Sequence, residues 1–583
     1  MNLAAALLPV PVLLPLGVAA ALLVVSHWLP SRVSTVLAIA TALAVAVICA
    51  FLAHAALQGP VLQWFGGWTP ASSHRPGVVL GISFLADPIS AAIAAFVGVL
   101  FAAALTFAWG YSQEHSHFEI LMLLFLAAMA GFCLTHDLFN LFVWFELMSV
   151  AAFALTAYPL GKSSLEGAFN FTIINGLGSF MMLAGVGFLY ARTGTLDFTQ
   201  MGRAVTGIGS DAVLSAGFCL VAAALLTKAA IVPFHMWLSD AHAVAPSPVS
   251  VIFSGAMVSV ALFALGKIAV QVFVHDDAVM TVARSLFVWL GAATALIGGA
   301  MAWAQRHLKR LLAFSTIAHL GIMLVGAAAV APPAMAGFVL YLFGHGLVKA
   351  SLFMVAGILL ALRASGDEIV LYGKGRDLWP AGIAMSIAGL LLGGLPVGLL
   401  HTAADRLEAS KPFVSAVIIL ATALTGAAVL RAAARIFATV SGAPGPEITA
   451  PTEREREKDD RPLWLMLLPC FALLVLAFVP GSLVLPFVER AIPALLDPFG
   501  HAAAVPAPEE RAIESYAPIV LTVCLFALAS VRQRATRPLS RTIFKAETLA
   551  FRGLQFLHSG LVGDYVVWMI VGLAALALAL GAA

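Results

Sequence analysis

Charge is what this sequence has least of. Of its 583 residues only 10% are Asp, Glu, Lys or Arg, while 62% are hydrophobic. A soluble domain carries about 25% charged residues, so a string of soluble domains is excluded and most of the length must face lipid or other buried helices. Cysteine is scarce as well. Cys49, Cys133, Cys219, Cys470 and Cys524 each sit inside an apolar run, and none belongs to a CxxC pair. That spacing argues against iron–sulfur or zinc ligation, so no metal and no other cofactor is expected. The net charge of +2 gives no pointer to nucleic acid. No cleavable leader is expected either, because the run Leu3–Leu29 lacks a basic segment before it and is long enough to span a bilayer.

What the sequence has in abundance is long apolar runs. A span needs about 20 mostly apolar residues, and by that measure the chain reads as an all-α, polytopic membrane bundle of about sixteen transmembrane helices. The seventh, eighth, eleventh and twelfth runs cover 212–238, 247–272, 334–362 and 380–401, and 463–489 reads as a single span. Positive charge orients the bundle. Connections after odd-numbered spans hold Arg32, Lys162, Arg306, Lys309, Arg310, Arg363, Lys374 and Arg376, and those after even-numbered spans hold fewer cations. The odd connections are therefore expected on the cytoplasmic side, with both termini outside and the chain in a bacterial inner membrane. The stretch 532–560 is basic with Leu549, Phe551, Leu554 and Phe556 interspersed, which suits an amphipathic helix on the membrane surface and equally a solvated connector.

An ionisable group at the bilayer centre costs several kcal/mol unless it pairs or lines a wet path. Each one inside an apolar run is therefore informative. Glu146 lies in LFNLFVWFELMSVAAFAL and Lys228 in LVAAALLTKAAIVPFHMWL. Opposite charges on neighbouring helices can neutralise each other, either as a structural ion pair or as the entry to a path. Lys228 is followed by Pro233, His235, Asp240, His242, Pro246 and Pro248. Proline removes a backbone donor and frees a carbonyl one turn back, and non-helical backbone at membrane depth is tolerated only where it is covered or lines a cavity. A broken helix carrying Lys and His reads as an ion path; a proline kink whose histidines cap freed carbonyls is the plain alternative.

A second group follows. His319 lies in LLAFSTIAHLGIML, and His345 and Lys349 stand four residues apart, on one helix face, in YLFGHGLVKASLFM. Gly393, Gly394 and Pro396 then interrupt another span, with His401 and Asp405 just beyond as exit candidates. Buried Lys and a later helix break thus recur in two halves, which is the sequence pointer to an inverted-repeat transporter.

At these residues the chain resembles the antiporter-like subunits shared by respiratory complex I, membrane-bound hydrogenases and Mrp-type sodium/proton antiporters. The matching segments are DLFNLFVWFELM (137–148), KAAIVPFHMWLSDAHAVAPSPVS (228–250), QRHLKRLLAFSTIAHLG (305–321) and HGLVKASLFMVAG (345–357), with FLADPIS (84–90) fitting less closely. The likeness is greatest to the D-type member of Mrp antiporters or the longest antiporter-like subunit of complex I. It implies a fourteen-helix core with two inverted five-helix repeats and broken helices 7 and 12. On that reading residues 1–117 hold helices 1–3, 118–272 the first repeat, 280–439 the second, and 463–583 a C-terminal extension with its basic connector. It also implies proton entry near Glu146 and Lys228, with His235 beside the break at Pro233, a relay through His319, His345 and Lys349, and an exit beyond Pro396.

The chain departs from the family pattern in three places. Ser259 stands where the eighth helix commonly carries lysine, with Lys267 two turns further on; His307 stands where an acid is usual; and the twelfth helix offers only His401 or Asp405 after its break. The expected function is proton translocation, with or without sodium, in which the charge on Glu146 sets how readily Lys228 holds its proton. The partners expected are the lipid bilayer and other integral subunits of one complex. Three other readings are open: a redox-driven pump with a peripheral redox subunit, an inorganic-carbon uptake complex with a zinc-containing subunit, and a structural subunit that moves nothing.

Overall fold

The computed structural model describes residues 3–69, 81–111, 116–209, 211–273, 276–329, 331–408, 412–439, 463–497, 516–532 and 560–581. The connector expected over 532–560 lies, apart from its ends, outside the described residues. In chain order the helices are α1 (Leu3–Leu7), α2 (Val10–Val25), α3 (Ser31–Ala56), α4 (Pro88–Tyr111), α5 (Ser116–Leu134), α6 (Leu138–Ala157), α7 (Lys162–Thr193), α8 (Phe198–Ile208), α9 (Ala212–Lys228), α10 (Met236–Val244), α11 (Ser247–Ile252) and α12 (Val258–Gln271). They continue as α13 (Asp277–Ala304), α14 (Leu308–Ala329), α15 (Pro332–Arg363), α16 (Trp379–Leu392), α17 (Gly398–Glu408), α18 (Pro412–Ala433), α19 (Leu463–Ala477), α20 (Gly481–Leu496), α21 (Ala517–Arg532) and α22 (Val562–Gly581). Between α3 and α4 two short strands, β1 (Val61–Trp64) and β2 (Ser83–Ala86), pair antiparallel with Val61 opposite Ala86.

Among the described residues twelve helices are long and apolar enough to cross a membrane, or thirteen if a bent pair counts as one span. That pair is α19 and α20, which meet at 71° across Phe478–Pro480, where a single straight span over 463–489 was expected. Pro480 supplies the physical reason, since it cannot continue a helix hydrogen bond. The chain is a multi-pass membrane protein of nearly all-helical build.

Burial sorts the helices by layer. The span built of α11 and α12 is wholly buried, as are the membrane-crossing part of α14 and nearly all of α15, whereas α2 and α22 face outward along most of their length. Ordinary capping chemistry positions the ends. Asp137, Asp197 and Asp211 each accept hydrogen bonds from backbone N–H groups in the first turn of α6, α8 and α9, satisfying donors that a helix start leaves free.

One backbone motif occurs twice. Leu138 N donates to Leu196 O at 2.8 Å and Phe198 N to His136 O at 3.0 Å; further along, Leu308 N donates to Gly366 O at 2.7 Å and Glu368 N to Arg306 O at 3.1 Å. The central pairs are Asp137 with Asp197 and His307 with Asp367. With α9 and α10 counted together as one broken span, three spans (α9–α10, α11–α12 and α13) separate the two motifs, which puts them at opposite ends of the bundle.

Candidate functional site

Two spans are broken where proline and glycine interrupt the apolar pattern. The first break runs between Lys228 at the end of α9 and Met236 at the start of α10. Ala230 adopts a left-handed φ of 51°, and the Val232–Pro233 bond is cis. The polar backbone freed here is not left bare. Trp237 Nε1 donates to Thr227 O at 2.9 Å, and Val232 N donates to Thr294 Oγ1 of α13 at 3.1 Å. The second break runs from Gly393 to Val397, around Pro396, between α16 and α17. Gly394 takes a φ of 85° with Pro518 of α21 directly against it, and Thr522 Oγ1 donates to Gly393 O at 2.8 Å. Both breaks are therefore covered and hydrogen-bonded, as backbone at membrane depth requires.

Lys228 is fully buried at the mouth of the first break. Its ammonium donates to Ser149 Oγ of α6 at 2.6 Å and lies over the Phe145 ring, 4.6 Å from its centroid. Glu146, one turn earlier on α6, is half-buried and accepts a hydrogen bond from the Ser179 hydroxyl of α7. The two opposite charges are neighbours, yet no ion pair joins them among the described contacts; each is held by a serine instead. A proton on Lys228 thus has a hydroxyl beside it, with the carboxylate on the same face of α6.

The second group is denser and deeper. Lys349 of α15 is fully buried and donates to Leu312 O of α14 at 2.8 Å and to the Ser315 hydroxyl. His345, one turn before it, is fully buried, and neither ring nitrogen meets a protein hydrogen-bond partner. Its ring lies 5.3 Å from that of His319. His319 is held on both sides, Nδ1 by the Tyr341 hydroxyl at 2.7 Å and Nε2 by Thr425 Oγ1 at 3.1 Å. Tyr341 then lines a cavity whose wall includes Leu400, His401, Asp405, Thr422 and Pro518. Within it His401 Nε2 stands 3.4 Å from Asp405 Oδ2. Lys349, His345, His319, Tyr341 and the His401–Asp405 pair thus follow one another toward the second break, joined by the hydrogen bond between His319 and Tyr341 and by the shared cavity beyond it.

Sequence reading singled out most of these residues, His242 among them as part of the Pro-broken segment, and missed Tyr341 and the ion pair of Lys267. Tyr341 stands four residues before His345, on the same face of α15, a signal that was available. His242 of α10 is fully buried, stacked on Phe353 of α15 at 4.5 Å, with no protein partner on either ring nitrogen. It sits where α10 of the first break meets α15, the helix carrying Lys349. His235, just before α10, is buried as well. The other omission is a buried ion pair. Lys267 of α12 lies 3.7 Å from Asp87 Oδ2, 3.1 Å from Ser90 Oγ and 3.4 Å from Thr135 O. Its partner is remote in sequence, and only the FLADPIS segment hinted at it. Ser259, by contrast, bonds only within its own helix, to Ala256 O at 3.0 Å. Between the halves, α12 is preceded by a π turn, Phe253–Met257, and Ser254 Oγ there meets Thr316 Oγ1 of α14 at 2.6 Å.

The comparisons with known proteins agree on one family. Residues 135–430, half of the chain, match the family described as NADH:quinone oxidoreductase/Mrp antiporter, TM. Among named relatives, the N-type subunit of the NADH-quinone oxidoreductase of Desulforudis audaxviator is 35% identical over 355 residues, covering 59% of this chain and 68% of that one. The D-type subunit of the Na(+)/H(+) antiporter of Bacillus subtilis is 28% identical over 404 residues, covering 68% of this chain and 79% of that one. Among solved structures, a chain of the Mrp complex from Dietzia sp. DQ12-45-1b superposes with a TM-score of 0.73 at 24% identity, covering 89% of this chain and all of that one. A chain of the membrane-bound sulfane sulfur reductase, an archaeal respiratory complex, gives a TM-score of 0.71 at 22% identity over 85% of this chain. At these identities the two structures speak for the fold.

Proposed function

Because this chain belongs to the NADH:quinone oxidoreductase/Mrp antiporter family of membrane subunits, we propose that it is the proton-translocating subunit of a multisubunit cation/proton antiporter, similar to the D-type member of the Mrp kind, in a bacterial inner membrane. The observation that carries this reading is the line of buried Lys and His running from one broken helix to the other. A buried lysine or imidazole costs several kcal/mol at membrane depth. Five of them along one route, Lys228, His242, Lys349, His345 and His319, with hydroxyls between, form a path for protons.

In this mechanism protons enter at Glu146 and Lys228 by way of Ser149 and Ser179. They pass the first break beside His235 and Pro233, cross through His242 to Lys349, and continue through His345, His319 and Tyr341. They leave through the cavity of His401 and Asp405 beside Pro396. Each hop is a transfer between a donor and an acceptor, with no bond made or broken other than to hydrogen. The doubled backbone motif supports reading 118–272 and 280–439 as two inverted repeats, each contributing one break.

A second reading has its own support: the Desulforudis relative bears the name of a quinone-reducing complex. In that case the same path runs in a redox-driven pump, fed by a peripheral subunit. The outward apolar surface of the bundle suits lipid and other integral subunits alike. The test is transport in everted vesicles from cells carrying the native complex, followed by dye quenching on addition of sodium. Glu146→Ala and Lys228→Ala are each expected to abolish exchange while the complex stays assembled. Wild-type exchange in both would overturn the path. Co-purified partners bearing iron, nickel or flavin would favour the redox-driven reading, and partners bearing zinc the carbon-uptake one.

A further inference from the structure

The last helix of the chain lies on the first break. Along α22 the buried residues are Tyr565, Met569, Gly572, Leu576 and Leu580, a single stripe at spacings of three and four. The opposite face, with Val567, Ile570, Val571 and Leu578, is exposed. The stripe packs on α9, with further contacts to α7 and α13. Two of its members meet the break itself. A Cβ on Gly572 would stand 2.6 Å from Pro233 Cγ and 2.7 Å from Phe234 Cζ, so only glycine lets α22 come this close. Seven residues earlier, two turns away, the Tyr565 hydroxyl donates to Asp240 Oδ2 of α10 at 2.8 Å. The other oxygen of Asp240 faces Arg310 of α14 at 3.9 Å.

Backbone that has left the helix at membrane depth must be covered by protein. On the inner flank Thr294 and Trp237 provide hydrogen bonds to it. On the outer flank the cover is α22. We infer that Tyr565 and Gly572 are positioning residues for proton transfer: the C-terminal helix clamps the Pro233 break from outside and sets the placement of α10, and with it His242, relative to Lys228. The inference rests on the proposed path, because the clamp acts on transport only if protons cross this break. It also gives the C-terminal extension a role within its own chain.

Tyr565→Phe removes one hydroxyl and leaves the stripe intact. Gly572→Leu drives a side chain against Pro233 and Phe234. Val571→Ala, on the exposed face, is the control. Three readouts are taken on the assembled complex: complex size, hydrogen exchange of residues 229–240, and the initial rate of exchange against cation concentration. For Tyr565→Phe and Gly572→Leu, faster exchange at 229–240 is expected, with a maximal rate lowered about tenfold, half-saturation unchanged and the complex intact. The control should match wild type in all three. Unchanged hydrogen exchange in both variants would overturn the clamp, as would a rate loss that merely tracks loss of complex. Faster hydrogen exchange at the break with an unaltered transport rate would leave the clamp standing as a contact and overturn its bearing on proton transfer. A wild-type complex that moves no protons, with the exchange difference present, would count against the path and not against the clamp.

Discussion

Lys228 illustrates what one hydroxyl does in a low-dielectric interior. Its ammonium has Ser149 Oγ at 2.6 Å as acceptor and the Phe145 face 4.6 Å away. A hydrogen bond to a charged group contributes about 1.5–3 kcal/mol, so Ser149 is a substantial part of what holds the ammonium in place. Ser149→Ala is expected to slow proton exchange about tenfold in vesicles, and Ser149→Thr, which keeps the hydroxyl, to restore most of it. Equal rates in Ser149→Ala and wild type would remove Ser149 from the route. His307 works at the same scale but outside the spans. It sits between α13 and α14 with Gly366 against its ring, and burial, then the Arg310 and Lys309 cations, push its pKa from the ordinary 6.5 down to about 3. The fold thus favours the neutral ring. Its contribution to stability is complete above about pH 6.5 and is lost progressively as the pH falls toward 3. His307→Asn removes that term, so its melting temperature should fall less than that of wild type between about pH 7 and pH 5. An identical fall in both proteins would assign the acid sensitivity to other groups.

Among elements, the helices and the two breaks were legible because each has a local cause. Apolar length marks a span, and Pro233, Gly394 and Pro396 mark the interruptions. The bend at Phe478–Pro480 was missed because hydropathy on either side is uninterrupted, and only direction changes. The buried lysines and histidines of the proposed path stand out in the sequence because charge at membrane depth is conspicuous. The serines that hold them do not. Ser149 and Ser179 look like ordinary helix residues until packing brings α6, α7 and α9 together. Local backbone chemistry makes a further prediction at the second break. Gly394 has a φ of 85° and would place a Cβ 2.4 Å from Pro518 Cβ. Gly394→Ala meets both the left-handed penalty of about 1–2 kcal/mol and that contact. It should lower the melting temperature of the purified complex, whereas Gly187→Ala on α7, with nothing within 4 Å, should leave it unchanged or raise it. Equal melting temperatures for the two would show that α21 yields freely at the break.

For the whole molecule, the doubled motif brings a doubled clamp with it. At one end Lys267 reaches Thr135 O at 3.4 Å and pairs with Asp87. At the other end Arg431 of α18 reaches Gln305 O at 2.8 Å and Trp303 O at 2.6 Å, and it shares Glu368 with Arg435. In each case a buried cation from a helix late in its half fixes the carbonyl just before a backbone pairing, and a buried carboxylate balances the charge. None of this could be read from local pattern, since every contact joins segments far apart in sequence. Removing one member of a buried pair typically costs about 3–5 kcal/mol, because the other charge is left uncompensated. The two ends are held by separate elements, so the losses should stay local and be close to additive. Lys267→Met is expected to speed hydrogen exchange at 83–90 and 135–138 and to leave 303–308 and 366–370 as in wild type. Arg431→Met should do the reverse. If either substitution loosened both ends together, the bundle would be a single cooperative unit, and a path that opens to one side at a time would need another source of independence between its ends.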